Sequence, residues 1–410
     1  MPIIDTQTPP VRMSGPSMAI IIGLCFAVAV LEGFDIQAMG VAAPRMAPEL
    51  GLGPDQMGMV FAIANVGLAI GAAFGGWLAD KVGRKPVFIG SVAVFGVFTL
   101  ATMVADTFPV LTVVRFLTGI GLGAALPNMV AIASEISPPG RRTLITSLIF
   151  CGMPVGGATS ALVAANLPGD VDWRALFLLG GAAPLILIPA FVILLKETRA
   201  VVDATRARPP SLATVLFGGG RAAPTLLIWL AFFPTLMILY LLLNWLPTLA
   251  VAKGLSASLA SQTALYFNLG SVVGSIVLAA CADRFGWRWP LTLAFALFIA
   301  AIVGMATVTT ATPILILSAV AGFCLLGSQY ALYGVTAGYY PAQGRGAGAG
   351  AAISVGRLGS IAGPILAGAM LGAGAPVADV LRVMIPIAAL AGLTAFALSF
   401  IKPRGDSDPA

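Results

Sequence analysis

The chain has 410 residues, 59% of them hydrophobic and 9% charged, with a mean hydropathy of +1.00. A water-soluble domain carries about 25% charged residues, so these values exclude a soluble globular protein and point to a polytopic membrane protein. The net charge of +6 does not indicate nucleic acid, because the basic residues fall in short segments between long apolar stretches.

Residues 1–16 form a polar, Pro-rich tail. The first apolar stretch is not followed by a small-residue cleavage site, so it is expected to be retained as a span. Crossing a ~30 Å hydrocarbon core takes ~20 residues. Twelve stretches qualify: 17–41, 56–79, 86–104, 109–133, 142–165 and 174–195, then 223–249, 257–281, 289–309, 313–338, 346–372 and 377–401. The polar segment 196–222, with Pro209, Pro210 and glycines 218–220, reads as a linker between two halves, 17–195 and 223–401; a short tail, 402–410, closes the chain. With both ends and the linker in the cytoplasm, sixteen Lys and Arg lie inside against four outside (Arg45, Arg174, Lys253 and Arg382). That asymmetry sets the orientation. An all-α membrane protein of twelve transmembrane helices in two pseudo-symmetric six-helix bundles is therefore expected.

Charges inside spans are costly and mark function. The first span holds Glu32 and Asp35, three positions apart on one helix face, with Gly33 between them. The fourth holds Arg115, expected at a depth similar to that of Glu32, so Glu32, Asp35 and Arg115 form an expected cluster. A fixed ion pair accounts for one of the two acids; the second is left to carry a proton. With no histidine in the chain, a carboxylate is the natural proton carrier. Cys25, Cys151, Cys281 and Cys324 all fall in spans, at spacings that fit neither a disulfide framework nor a metal site. The eleventh span holds Arg357 near the midplane, without an acidic residue in any span of its own half. It is expected either to anchor a carboxylate substrate by paired hydrogen bonds or to pair with Glu32 or Asp35 across the halves. Asn65, Asn128, Tyr240, Asn244, Trp245, Tyr266, Asn268, Gln329, Tyr330 and Tyr333 are candidates to line a cavity suited to an aromatic ligand. Each could instead serve helix packing or an interfacial belt.

An internal repeat supports the two-half division. Gly76-Trp77-Leu78-Ala79-Asp80-Lys81-Val82-Gly83-Arg84-Lys85 ends the second span, and Ala279-Ala280-Cys281-Ala282-Asp283-Arg284-Phe285-Gly286-Trp287-Arg288 ends the eighth, 203 positions later. The first copy resembles the signature of the major facilitator superfamily, Gly-x-x-x-Asp-Arg/Lys-x-Gly-Arg-Arg/Lys. Gly76, Asp80, Gly83, Arg84 and Lys85, with Asp283 and Arg284 of the second copy, are then expected to form a conformational latch on the cytoplasmic side.

Four further stretches together resemble one branch of that superfamily, the aromatic acid:proton symporters: Glu-Gly-Phe-Asp at 32–35, the Arg115–Asn128 run, Asn244-Trp245-Leu246-Pro247, and Val355-Gly356-Arg357-Leu358-Gly359 with Gly363-Pro364. Glu32, where most members similar to this carry Asp, resembles the sub-branch that takes 3-hydroxyphenylpropionate-like acids. The resemblance implies proton coupling at Glu32 and Asp35, a transport role for Arg357, and import of small aromatic carboxylates by a monomer in a bacterial inner membrane, with the proton as coupling ion and no other cofactor. The competing expectation is a proton-coupled efflux antiporter of the same fold. A membrane-embedded enzyme is disfavoured, since the chain has no histidine, no metal cluster and no sizeable soluble domain.

Overall fold

The computed structural model describes residues 15–136, 142–167, 172–195, 211–341 and 344–402. Among these there is no strand, and twelve helical spans are long and apolar enough to cross a membrane. The first half comprises α1 (Gly15–Glu49), α2 (Pro54–Val82), α3 (Arg84–Ala101), α4 (Phe108–Ile136), α5 (Arg142–Phe150) with α6 (Gly152–Asn166), and α7 (Arg174–Leu194). A short α8 (Leu212–Phe217) precedes the second half, which comprises α9 (Ala222–Ala252), α10 (Ala257–Phe285), α11 (Arg288–Thr307), α12 (Ala311–Thr336), α13 (Arg345–Gly372), and α14 (Val377–Arg382) with α15 (Met384–Leu398). The expected tail at 1–14, the linker segment 196–210 and residues 403–410 lie outside the described residues.

Prolines explain where the expected spans are broken. Pro154 has no N–H to give Phe150, four residues earlier, and the fifth span divides at Cys151 into α5 and α6. Pro386 stands in the same relation to Arg382, and the twelfth span divides at Val383. The first helix runs to Glu49, past the expected end at residue 41, in spite of Pro44 and Pro48. Within the expected linker, Val215 and Leu216 are apolar and buried against the second bundle, which is why α8 forms there. The Thr225 hydroxyl donates to the Leu216 carbonyl at 2.7 Å and pins it.

The 203-residue repeat persists in the packing. Gly67 and Gly71 of α2 lie against the carbonyls of Phe116 and Ile120 on α4; Gly270 and Gly274 of α10 lie against those of Ala319 and Phe323 on α12. Gly119 meets the Ala64 carbonyl, and Gly322 that of Phe267. Gly156 of α6 sits on Val30 and Phe34 of α1, while Gly359 of α13 sits on Phe233 and Met237 of α9. Every one of these pairs is displaced by the same 203 positions. Without a hydrophobic force between helices in lipid, close backbone approach through small residues is what holds such pairs together. Gly83 (φ 106°, ψ 156°) and Gly286 (φ 76°, ψ 149°) end α2 and α10 in matching left-handed turns, which a Cβ would disfavour.

The two bundles touch at one end and part at the other. Gly58 of α2 packs on the Pro364 carbonyl and the Gly368 Cα of α13. Eighteen residues on, about five turns along the same face of each helix, Gly76 of α2 and Gly350 of α13 have nothing within 4 Å of an added methyl. At the closed end α1 also lies on α9, Gly40 meeting the Leu243 carbonyl, and the Ser258 hydroxyl donates to the Ala165 carbonyl at 2.6 Å.

Candidate functional site

The first span carries its two acids into different surroundings. Arg115 of α4 grips Asp35 with both terminal nitrogens, at 3.2 and 2.8 Å, and the Thr99 hydroxyl of α3 adds a third hydrogen bond at 2.7 Å. Both members of the ion pair are buried, Asp35 at 0% and Arg115 at 2% exposure. Bidentate geometry with an added donor is the condition under which a buried pair offsets its desolvation. This pair lies wholly inside the first bundle. The expected cluster of three therefore separates, since Glu32 makes no hydrogen bond to Arg115.

Glu32 is fully buried, and neither of its oxygens has a hydrogen-bond partner among the described residues. Its electrostatic neighbours are Arg357, from the other bundle, and Asp35. Arg357 is half-buried at the seam and donates from Nη1 to the Tyr240 hydroxyl at 2.7 Å. Tyr333 lies within electrostatic reach of Arg357, and Tyr330 within reach of Glu32. The two rings are 6.2 Å apart, and Phe232 meets Tyr333 edge-on at 5.3 Å. Gln329, one turn from Tyr333, is buried with its amide beside the Tyr333 hydroxyl. The seam thus brings together an acid, a guanidinium held by a phenol, two further tyrosines and a buried carboxamide.

The other expected lining residues divide into three groups. Asn65, Tyr240 and Asn244 border a cavity of about 20 Å³ beside Arg115, room for one water. Asn65 also donates to the Ser360 carbonyl of α13 at 3.2 Å, tying the bundles together. Trp245 belongs to the closed end: its indole donates to the Pro364 carbonyl at 3.1 Å, and Phe61 of α2 packs edge-on at 5.3 Å. Asn268 donates to the Gln37 side chain at 3.2 Å, and Gln37 donates to the Leu243 carbonyl at 2.8 Å, so these two also cross between bundles. Asn128 is turned into the first bundle and donates to the Ala124 carbonyl at 2.9 Å. Tyr266 is 39% exposed and shares the outward face of α10 with Leu269, Val273 and Ile276, away from the seam.

Gln37 and Thr99 were not among the sequence candidates. Gln37 had a usable signal, an amide two residues after Asp35 in an apolar helix. Thr99 had none, being one hydroxyl among many in the spans. The latch residues sit at the parted end, with Asp80 and Asp283 exposed. There Lys81 lies over the Trp77 ring at 3.9 Å, Lys85 donates to the Val192 carbonyl at 2.7 Å, and Arg284 lies 5.4 Å from the Phe285 ring.

Moved by the repeat offset, the charged positions become neutral. Glu32, Asp35 and Arg115 correspond to Thr235, Ile238 and Ser318, while Arg357 corresponds to Pro154. Thr235 and Ser318 spend their hydroxyls on carbonyls of their own helices, Ala231 and Ile314. The scaffold is duplicated; the charges buried within its spans are not.

This architecture has known counterparts. The family model described as Major Facilitator Superfamily matches residues 25–363. The chain is 39% identical to the 3-(3-hydroxy-phenyl)propionate transporter of Escherichia coli (strain K12), covering 98% of this chain and 100% of that one. It is 34% identical to the 4-hydroxybenzoate transporter PcaK of Pseudomonas aeruginosa, over 90% of each chain. In fold it matches the crystal structure of a bacterial homolog to the human lysosomal transporter Spinster, in an inward-facing and occupied conformation, with a TM-score of 0.78 at 16% identity, covering 97% of this chain and 100% of that one. The chain belongs to the Major Facilitator Superfamily and, like the relatives it matches, is a transporter and not an enzyme.

Proposed function

We propose that the protein imports small aromatic carboxylates, of the hydroxyphenylpropionate or hydroxybenzoate type, in symport with protons. The observation that carries this reading is Arg357, a guanidinium at the seam whose one side-chain hydrogen bond among the described residues goes to the phenol of Tyr240. A substrate carboxylate supplies the paired acceptors that a phenol does not. Tyr330 and Tyr333 offer ring faces and hydroxyls beside it, and the relatives are named for acids of the same chemical class. The carboxylates of the first span supply the proton site.

The basic-residue asymmetry supports a cytoplasmic side for the parted end, and on that reading the conformation is inward-open. The two bundles rock about the midplane site. Proton and anion enter from the closed side once it opens, and both leave on the latch side. The protein acts as a monomer in the bacterial inner membrane, both termini cytoplasmic.

The test is uptake of labelled 3-(3-hydroxyphenyl)propionate and 4-hydroxybenzoate into proteoliposomes with an inward proton gradient. Accumulation abolished by a protonophore is expected. A folded protein that moves no member of a panel of aromatic acids, or that moves them only outward, overturns the proposal.

A further inference from the structure

Proton coupling usually treats neighbouring acids as one unit; here the two acids of the first span differ in every contact they make. Asp35 accepts three hydrogen bonds and is the counter-charge of a buried arginine. To take a proton it must release Arg115, whose Nε already has no partner, and leave a cation inside the first bundle unbalanced. Protonating Glu32 breaks no hydrogen bond at all. What faces Glu32 is charge and phenol: Asp35 on its own helix, Arg357 from α13 and Tyr330 from α12, with Tyr240 of α9 behind Arg357. From α6 it is backbone that approaches this level of α1, Met153 against Gly33.

The charge count at the seam then has few neutral solutions. Because Asp35 and Arg115 cancel, the seam holds Glu32 and Arg357. It is neutral when Glu32 is ionised and no anion is bound, or when Glu32 is protonated and one carboxylate sits on Arg357. An anion bound beside ionised Glu32 leaves one negative charge buried, and protonated Glu32 without an anion leaves one positive charge. Closing the bundles over either unbalanced state is penalised by desolvation. We infer that Glu32 alone carries the coupled proton, one per substrate carboxylate, that Asp35 stays ionised as the fixed partner of Arg115, and that transport of a monocarboxylate is therefore electroneutral. In balance, one proton and one monoanion enter together and leave together, and no net charge crosses. This inference rests on the symport reading above and deepens it.

The experiment uses the full chain in proteoliposomes, with driving forces imposed separately. A proton gradient at zero potential is expected to drive accumulation, and a valinomycin-imposed potassium potential at equal pH is expected to drive none. Glu32→Gln should retain measurable exchange of labelled for unlabelled substrate, lose accumulation, and lose the pH dependence of substrate binding. Asp35→Asn should unfold at lower temperature, and Asp35→Asn with Arg115→Met should recover most of that loss, as a static pair requires. Accumulation driven by potential alone, accumulation by Glu32→Gln, or a stable Asp35→Asn protein that loses pH-dependent binding each overturns the inference. If the wild type moves no aromatic acid, the symport reading fails separately. The division of the two acids is then still decided by infrared pH titration. The pH-dependent protonated-carboxyl band of the wild type should be missing in Glu32→Gln and kept in Asp35→Asn; its loss in Asp35→Asn instead overturns the assignment.

Discussion

Gly58 and Gly368 meet backbone to backbone across the two bundles: a methyl placed on Gly368 would stand 3.0 Å from the Gly58 Cα and 2.8 Å from the Pro54 carbonyl. There is no flexible side chain at that point to give way, so this end of the seam closes only with hydrogen atoms at both positions. Gly368→Val is expected to hold the closed end apart and lower uptake by roughly tenfold or more, since 1.4 kcal/mol of lost closure is a factor of ten. Gly350→Val, on the same face about five turns away, meets open space and should leave uptake within a factor of two. Thiol labelling of a single cysteine introduced at the closed end reports the change directly; equal labelling in the two variants would count against this picture of the seam.

Arg357→Lys keeps the charge and discards the planar fork. Charge-assisted hydrogen bonds contribute about 1.5–3 kcal/mol, so the substitution is expected to lower uptake at sub-saturating substrate by roughly 10–100-fold. Tyr240→Phe removes the 2.7 Å hydrogen bond and should have the smaller effect of the two. Initial-rate uptake over a substrate series checks both, and a larger loss in Tyr240→Phe would reverse the assignment of roles.

The tyrosines separate by location. Tyr333 faces Arg357 at the seam, whereas Tyr266 is on the outward face of α10. Tyr333→Ala is expected to weaken substrate binding by at least tenfold, an aromatic contact plus its buried area exceeding about 1.4 kcal/mol. Tyr266→Ala should bind as wild type. Binding of labelled substrate to detergent-solubilised protein measures each.

Tyr340, between the tenth and eleventh spans, is fully buried, and burial holds its hydroxyl above the ordinary tyrosine range, partly opposed by a 3.2 Å hydrogen bond with Thr225. A group whose pKa is raised on folding contributes stability that is whole below the unfolded value, about 10, and is lost as pH rises through the folded value. Melting temperature in detergent should therefore fall above about pH 10, and fall less in Tyr340→Phe. Parallel losses in the two proteins would remove Tyr340 from the explanation.

Most of the architecture could be read from residue patterns because lipid leaves few choices. Twelve apolar runs and the Asp80–Asp283 repeat define spans and halves without reference to contacts. The pairing of Arg115 with Asp35 rather than Glu32 could not be read that way. Depth along the membrane, which a sequence supplies, sets Arg115 near the level of Glu32 with Asp35 about a turn away; azimuth around α1, which decides the partner, depends on how α1 packs between α4 and the other bundle. Tyr266 shows the same limit. Its residue type suits a binding cavity, and only the rotation of α10 turns it outward. The break at Cys151, by contrast, coincides with the missing N–H of Pro154, a local cause, though the same loss at Pro44 and Pro48 leaves α1 unbroken.

The unequal charging of a duplicated scaffold has a consequence for assembly. Neither bundle discharges its own seam among the described residues: beside Glu32 the buried Arg115 is spent on Asp35, while in the half of Arg357 Asp379 is paired with Arg382 and Asp283 is exposed at the parted end. Produced as two separate polypeptides, 1–195 and 211–410, each fragment would expose an orphan ion toward lipid, and the cheapest remedy for both is the other fragment. Co-purification of the two from one membrane, lost on Arg357→Glu in the second and regained when Glu32→Arg is added in the first, would show that the transporter's halves are mated by complementary electrostatics as well as by fit.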